Sequence, residues 1–230
     1  MAQFEFIPYI LSQCANIYEV KEKLSNINIT NTRFSEKFPC AELHWIIADG
    51  NGAITVEAMS DGLHIYDNEV GVLTNNPPFN QQMFFIKQLY LDFLLNSQKI
   101  YLPKVLICRH TAEVWVLLVC QGNLSSASRF AKVAFTKLNS ISGDTEMESV
   151  SQFFHILGAV DQQRGCCEVA DGKYEITLYT SCCNASKGIY YYTTYENHQI
   201  NAVDMNKTDL ESSELTRYTP ITSQQINFQN

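Results

Sequence analysis

The sequence has 230 residues, of which 46% are hydrophobic and 17% charged, and it carries a formal net charge of -8. This composition suffices for one buried core, and it disfavours nucleic acids and anionic membranes as partners because both attract basic proteins. The longest strongly apolar run, residues 114–120, is far shorter than the roughly 20 residues that span a bilayer. The first five residues, MAQFE, contain no basic n-region of a signal peptide. We therefore expect a soluble, cytoplasmic, single-domain protein.

The cysteine pattern does not indicate a metal site. Among eight cysteines, Cys166-Cys167 and Cys182-Cys183 are directly adjacent, whereas zinc sites usually separate their ligands by about two to four residues. Without a secretion signal, free thiols are expected rather than disulfides. The sequence therefore predicts neither a metal nor another cofactor.

Two short helices and a loop are predicted at the start of the chain. The apolar positions at helical spacing within residues 4–14 are Phe4, Ile7, Ile10 and Leu11. Asn16 is a candidate cap of the second helix, with Glu19 as its capping-box partner. The following loop, residues 28–41, carries Phe34 and Phe38. These two rings either form a hydrophobic wall for a substrate or pin the loop to the core.

A three-stranded sheet and a proline-terminated loop follow. Residues 43–49 and 53–58 are strand-like runs around Gly50-Asn51-Gly52, a strong hairpin signal, and residues 63–67 form a third strand. The strand pattern stops at Thr74-Asn75-Asn76-Pro77-Pro78, because proline has no N–H group to donate to a neighbouring strand. A side-chain amide held there is able to donate to a developing oxyanion. The alternative is an Asx-type turn that only closes the strand.

The remainder of the chain alternates between helical and strand patterns. Periodicity predicts helices over residues 79–91, from Ser125 or Ser126 onward and over 146–160, and strands over 174–181, 189–195, 199–205 and 215–218. Arg129 lies in the first turn of its helix, where the helix dipole disfavours a cation. It therefore needs an anionic partner, either in a surface ion pair or in a functional site. His155 is a lone helical histidine, and no Ser-His-Asp or Cys-His arrangement follows from its position.

Several of these stretches together resemble one protein family. Residues 73–77, LTNNP, are similar to the segment before a long helix in the conjugated bile salt hydrolases and penicillin V acylases. These enzymes form the choloylglycine hydrolase family of N-terminal nucleophile hydrolases. The likeness continues along most of the chain, at residues 43–45, 125–130, 153–157 and 191–205. It implies an α+β fold, here an incomplete four-layer αββα sandwich, and cleavage of the amide between a bile acid and glycine or taurine.

The resemblance also assigns roles to individual residues. It implies that Asn75 donates to the oxyanion through its side-chain amide and that Arg129 points into the active site near the nucleophile. It implies that the sterol nucleus contacts Phe34, Phe38 and Leu43. Conjugated bile acids are the implied substrates, and a homotetramer is the implied assembly.

Residues 92–122 depart from the family. The family has a glycine-rich loop here, whereas this segment contains one glycine, Gly122, and the likeness resumes at Leu124. We interpret the segment either as the product of two compensating frameshifts or as genuine divergence, in which residues 113–120 form a new strand.

The family's nucleophile is a cysteine at the mature N-terminus, and its own α-amino group is the base. In this sequence Ala2 follows Met1, and the first cysteine, Cys14, lies in a predicted helix. We therefore expect a single truncated domain over residues 1–230, beginning about where the first third of the family's sequence ends and lacking the nucleophile. One hypothesis is the C-terminal part of a bile salt hydrolase, inactive alone. The other is a non-enzymatic remnant of a degenerate gene that at most binds sterols weakly.

Overall fold

The computed structural model describes residues 1–94 and 123–230, which divide into two units, Met1–Leu138 and Asn139–Asn230. The helices are α1 (Phe6–Gln13), α2 (Ile17–Leu24), α3 (Phe79–Leu94), α4 (Ser126–Asn139) and α5 (Glu146–Gly158). The strands of the first unit are β1 (His44–Asp49), β2 (Gly52–Met59) and β3 (Gly62–Asp67). Those of the second are β4 (Glu168–Ala170), β5 (Lys173–Tyr174), β6 (Tyr179–Asn184), β7 (Ile189–Thr194) and β8 (Asn197–Asp204).

Local capping determines where α2 begins. The Asn16 side-chain oxygen accepts from the backbone N–H groups of Tyr18 and Glu19, at 3.0 and 3.1 Å, which confirms the predicted cap. The Glu19 carboxylate accepts from the Ala15 N–H at 2.8 Å, one residue before the position that a capping box uses. Asp49 at the end of β1 accepts from the Ile17 N–H at 2.9 Å and therefore ties α2 to the sheet.

Of the four apolar residues at helical spacing within residues 4–14, Ile10 alone is buried. Phe4, Ile7 and Leu11 are all exposed, Leu11 at 75%. A 3-10 helix covers Gln3–Glu5, so α1 begins at Phe6. The Phe6 ring then packs on Trp45 with centroids 4.5 Å apart, which turns Phe6 and Ile10 toward the core.

The predicted three-stranded sheet is confirmed, with antiparallel strands in the order β1-β2-β3. Its centre is β2, where Ile54 and Val56 are fully buried. The core cluster joins both N-terminal helices to this sheet and consists of Phe6, Ile10, Val20, Leu24, Trp45, Ile54 and Val56. Burial of these side chains is the main stabilisation of the first unit.

A buried carboxylate positions the start of α3. Glu57, on β2, is only 3% exposed, and its two oxygens accept from the Phe79 N–H at 3.0 and 3.2 Å. An anion is favourable at a helix N-terminus, where backbone N–H groups lack helical partners. His44 Nδ1 lies 3.7 Å from the same carboxylate. The sheet therefore determines where α3 starts and where the preceding loop must lie.

The second unit contains α5 and an antiparallel sheet in the order β6-β7-β8, together with the short pair β4-β5. The strand predicted over residues 174–181 is divided. Between β5 and β6 the backbone instead bonds to an earlier loop, where Glu175 N–H donates to Cys167 O at 2.8 Å and Thr177 N–H to Gln162 O at 3.1 Å. The strand predicted over 215–218 is also wrong, since these residues form no regular element.

Within the described ranges, no helix has the length and apolar content that crossing a bilayer requires. Residues 95–122, which hold most of the atypical segment and the alternative strand at 113–120, lie outside the described residues.

The start of α5 provides a test of pH-dependent stability. Glu146 accepts from Lys187 Nζ at 2.6 Å and from the Tyr191 hydroxyl at 3.0 Å, which ties α5 to the β6-β7 hairpin. The Lys187 hydrogen bond, followed by those from Tyr191 and Asn184, holds the pKa of the Glu146 carboxyl below its ordinary value, against the opposing effect of desolvation. Because the folded pKa is depressed, this stabilisation is present above the unfolded pKa, about 4.3, and is lost as pH falls through the folded pKa.

We therefore expect Glu146→Gln to lower the free energy of unfolding at pH 7 and to lower it by less at pH 3. Urea unfolding at both pH values measures the difference. Glu214→Gln, a substitution in the exposed C-terminal tail, is the matched control and should behave like the wild type at both. An equal loss at pH 7 and pH 3 would show that the carboxylate charge is not the stabilising feature.

Candidate active site

The loop between the first sheet and α3 is held by buried polar contacts. Asn68, 3% exposed, donates to Val72 O at 2.8 Å and accepts from the Gly71 N–H at 2.7 Å. Its side chain also donates to Thr55 Oγ1 on β2, at 2.9 Å. These bonds determine the path of the chain from β3 toward Asn75.

Gln82 holds the backbone on both sides of Asn76. It lies on α3, is 1% exposed, and its Nε2 donates to the carbonyl oxygens of Asn75 and Pro77. Its Oε1 accepts from the Thr74 hydroxyl at 2.9 Å. All hydrogen-bonding groups of one buried amide are therefore used to hold residues 74–77, which makes Gln82 a positioning residue for this loop.

α4 contributes the next contacts. The Ser126 hydroxyl donates to the Asn75 carbonyl oxygen at 2.7 Å. Ser125 is the cap, since its backbone oxygen accepts from the Arg129 N–H at 2.9 Å and its hydroxyl accepts from the Ser128 N–H at 3.3 Å. Phe130 of α4 is fully buried and meets Phe79 of α3 edge to face, with centroids 6.1 Å apart. The packing of the two helices therefore brings the start of α4 to the Asn75 loop.

The structure brings the two predicted catalytic residues together. Arg129 Nη2 donates to Asn75 Oδ1 at 3.0 Å, and Arg129 Nε donates to Leu124 O at 3.2 Å. A guanidinium offers only donors, so the Asn75 amide must present its oxygen to Arg129. The Asn75 Nδ2 then carries the free donors, and among the described residues none accepts a hydrogen bond from it. The arrangement is a solvent-exposed amide N–H pair beside a fixed positive charge.

Asn76 has a different partner from Asn75. Its Nδ2 donates to Glu42 Oε2 at 3.0 Å, so its amide is already used within the protein. Asn76 and Leu43, another predicted site residue, line one small cavity of about 220 Å³. His44 and Glu57 line the same cavity. Leu43 is 42% exposed, so part of its side chain faces solvent.

Phe34 and Phe38 form a separate aromatic cluster. Both are mostly exposed, at 67% and 62%. Their ring centroids lie 6.3 Å apart, and Phe34 meets Phe4 edge to face at 5.1 Å. Neither ring lines the cavity beside Leu43. The five predicted site residues therefore occupy three places: the Asn75–Arg129 pair, the Leu43 cavity and the Phe34–Phe38 cluster.

Two residues that hold the loop, Gln82 and Glu57, were not predicted from the sequence. The sequence contained a signal for Gln82, because it lies at helical spacing between the apolar residues Phe79 and Ile86. In the structure all three side chains are buried. A polar residue on an apolar helix face needs internal partners. Elsewhere, within residues 1–94 and 123–230, no group of three or more His, Cys, Asp or Glu side chains could hold a metal ion, and the cysteines are free thiols.

Solved structures with a similar fold define the class of protein. Two variants of the conjugated bile acid hydrolase from Clostridium perfringens match 100% of this chain and 70% of theirs at 35% identity, with TM-scores of 0.80 and 0.82. Penicillin V acylase from Agrobacterium tumefaciens shares the fold at 17% identity and a TM-score of 0.64, over 91% of this chain and 58% of that one. The fold is therefore the α+β fold of the N-terminal nucleophile hydrolases, as predicted.

Sequence comparison then gives the family. The model of the linear amide C-N hydrolases, choloylglycine hydrolase family, matches residues 1–218. A bile salt hydrolase/transferase of Lactiplantibacillus plantarum is 48% identical over 94% of this chain and 66% of its own length. One from Clostridium perfringens is 37% identical over 99% of this chain and 69% of its own. The chain belongs to the choloylglycine hydrolase family, and it spans about two thirds of the length of these relatives.

Proposed function

We propose that this chain carries one part of an active site that hydrolyses the amide bond of glycine- or taurine-conjugated bile acids. Family membership supports the reaction class, since the matching model describes linear amide C-N hydrolases. The relatives' names supply the substrate class. The observation that carries the proposal is the hydrogen bond from Arg129 to Asn75 Oδ1, which leaves the Asn75 N–H groups beside a positive charge and without an acceptor among the described residues.

The proposed chemistry uses these two residues for charge stabilisation. When a cysteine thiolate attacks the amide carbon, the carbonyl oxygen becomes an oxyanion. Asn75 Nδ2 donates to that oxygen, and the Arg129 guanidinium adds a favourable positive potential. The tetrahedral intermediate collapses to a thioester as the C–N bond breaks and the amine takes a proton. Water then attacks the thioester through a second oxyanion, releasing the free bile acid and regenerating the thiol.

We propose that this sequence does not itself contain the nucleophile. In the family the attacking cysteine is N-terminal and its α-amino group is the base, whereas here Ala2 follows Met1. The third of the relatives' length that this chain does not span would supply the thiol and the base. Both units would belong to a single catalytic domain, because the family model matches both of them. Cytoplasmic location and homotetrameric assembly are part of the same proposal.

The proposed sterol contacts are Phe34, Phe38 and Leu43. The exposure of the two rings supports this role, because exposed aromatic surface is available to an apolar ligand. The same observation favours a second candidate function, in which the chain binds conjugated bile acids without hydrolysing them.

Activity and binding can be separated on the chain alone. We expect no thiol-dependent release of glycine from glycocholate or of taurine from taurocholate. We expect taurocholate to bind, and Phe34→Ser with Phe38→Ser to weaken this binding about tenfold through loss of apolar contact area. Calorimetric titration measures the binding, and Tyr18→Ser, at another exposed aromatic position, is the control. Release of taurine that depends on Asn75 would overturn the first expectation, and unchanged binding by the double variant would overturn the second.

A further inference from the structure

The second unit contains a cavity of about 550 Å³ that includes none of the residues discussed above as site residues. It lies where the end of α5 and the following segment meet the strands β6, β7 and β8. The lining residues that matter here are Phe154, Asp161, Gln162, Tyr179, His198 and Ile200. Its volume falls within the range of about 300–1,000 Å³ that small-molecule sites usually have.

Gln162 is a buried amide whose backbone is held on both sides by Thr177. Its backbone N–H donates to Thr177 Oγ1 at 2.9 Å, and its backbone oxygen accepts from the Thr177 N–H at 3.1 Å. The residue is therefore firmly held and only 7% exposed. In the described part of the chain, its side-chain Oε1 has no hydrogen-bond partner. Buried polar atoms are almost always paired, so this oxygen calls for a donor.

Asp161 adds a second acceptor to the same cavity. Burial raises the pKa of its carboxyl group, and the nearby His198 opposes that shift. An anion that is partly removed from water gains most from a ligand that carries a positive charge. An amide oxygen and a carboxylate on consecutive residues therefore present two acceptors and favour a ligand rich in N–H donors.

The apolar wall limits the rest of the ligand. Phe154, Tyr179 and Ile200 line the same cavity as the two acceptors. A ligand with one charged donor group and a compact hydrocarbon or aromatic body would match both the two acceptors and the apolar wall of the cavity. We propose that this cavity binds a small primary amine, whose ammonium group donates to Gln162 Oε1 and Asp161 while its apolar body packs on Phe154, Tyr179 and Ile200.

The test uses three probes that share one ring: benzylamine, benzyl alcohol and benzoate. Each is titrated into the ¹⁵N-labelled full chain at pH 7.5, and binding is followed by amide chemical shifts. We expect benzylamine to bind with a Kd on the order of 1 mM, as suits a ligand of this size. Benzyl alcohol should bind at least about tenfold more weakly, and benzoate should not bind. The shifted amides should belong to residues 151–163 and 177–200.

Two variants and a matched control complete the test. Gln162→Leu and Asp161→Asn should each weaken benzylamine binding about tenfold, and Asp161→Asn should leave benzyl alcohol binding unchanged. Gln199→Leu is the control, because Gln199 lies between His198 and Ile200 on β8 and does not line the cavity. Absence of benzylamine shifts in the wild type would overturn the proposal. So would tighter binding of benzoate, which would mean that the lining histidines, His155 and His198, determine the charge preference.

Discussion

Asn75→Ala is expected to reduce amide hydrolysis by about 10²–10³-fold in an enzyme that contains this chain together with a nucleophile. The expected size follows from the removal of one preorganised oxyanion donor. The assay requires a fusion in which the third of the Lactiplantibacillus plantarum relative that this chain does not span precedes residue 1. Taurine release from taurocholate, measured at saturating and at low substrate, separates the effect on kcat from that on KM. The loss should appear mainly in kcat, because the oxyanion exists only after attack.

The neighbouring asparagine is the matched control for this experiment. Asn76 has the same side chain one residue further on, but its Nδ2 donates to Glu42 at 3.0 Å. Asn76→Ala should therefore change kcat several-fold at most. Equal losses from the two substitutions would show that they act by disturbing the loop and not through an oxyanion donor. A fusion that folds and binds taurocholate but releases no taurine would contradict the proposed reaction itself.

Arg129 illustrates what the sequence could and could not predict about this site. Its position in the first turn of α4 indicated that the cation needed a partner, and the resemblance named both Arg129 and Asn75. Neither consideration predicted that the partner of Arg129 would be the Asn75 amide oxygen, 54 residues earlier in the chain. That contact depends on the packing of Phe79 against Phe130, which is a long-range feature without a local signal.

The predictions of the fold that depend on local signals are correct, whereas those that depend on long-range contacts are not. The Asn16 cap and the hairpin at Gly50-Asn51-Gly52 depend on neighbouring residues only, and both are confirmed. The prediction of one strand over residues 174–181 was wrong because the Thr177 N–H donates to Gln162 O. The alternation of apolar and polar residues cannot indicate such a partner. Helical spacing did not indicate the buried face of α1, because the contact of Phe6 with Trp45, distant in sequence, determines which side is buried.

Gln82→Leu is expected to lower the free energy of unfolding of the chain by about 2–4 kcal/mol. Leucine has a similar volume, so the cavity contribution is small and the cost is electrostatic. The substitution removes the Gln82 donor from the Asn75 and Pro77 carbonyl oxygens and the Gln82 acceptor from the Thr74 hydroxyl, all around one side chain that is 1% exposed. The Asn75 oxygen keeps the Ser126 hydroxyl as a donor, and the Thr74 hydroxyl keeps the Ser126 carbonyl oxygen as an acceptor. Urea unfolding measures the loss, followed by tryptophan fluorescence in a Trp115→Phe background so that the buried Trp45, in the same unit as Gln82, is the reporter.

Gln81→Leu provides the matched control for Gln82→Leu, because it makes the same change at the adjacent, exposed position of α3. It should stay within about 0.5 kcal/mol of the wild type.

A double-mutant cycle of Gln82→Leu with Thr74→Val then tests the hydrogen-bond network directly. Coupling is expected because Thr74→Val leaves Gln82 Oε1 without the Thr74 donor, whereas additive losses would show that the Thr74–Gln82 hydrogen bond does not contribute to stability. In the fusion enzyme, Gln82→Leu should also lower kcat more than Asn76→Ala does, since the Asn75 donor then loses its fixed backbone. A variant that loses stability but keeps kcat would contradict the positioning role and leave Gln82 as part of the core only.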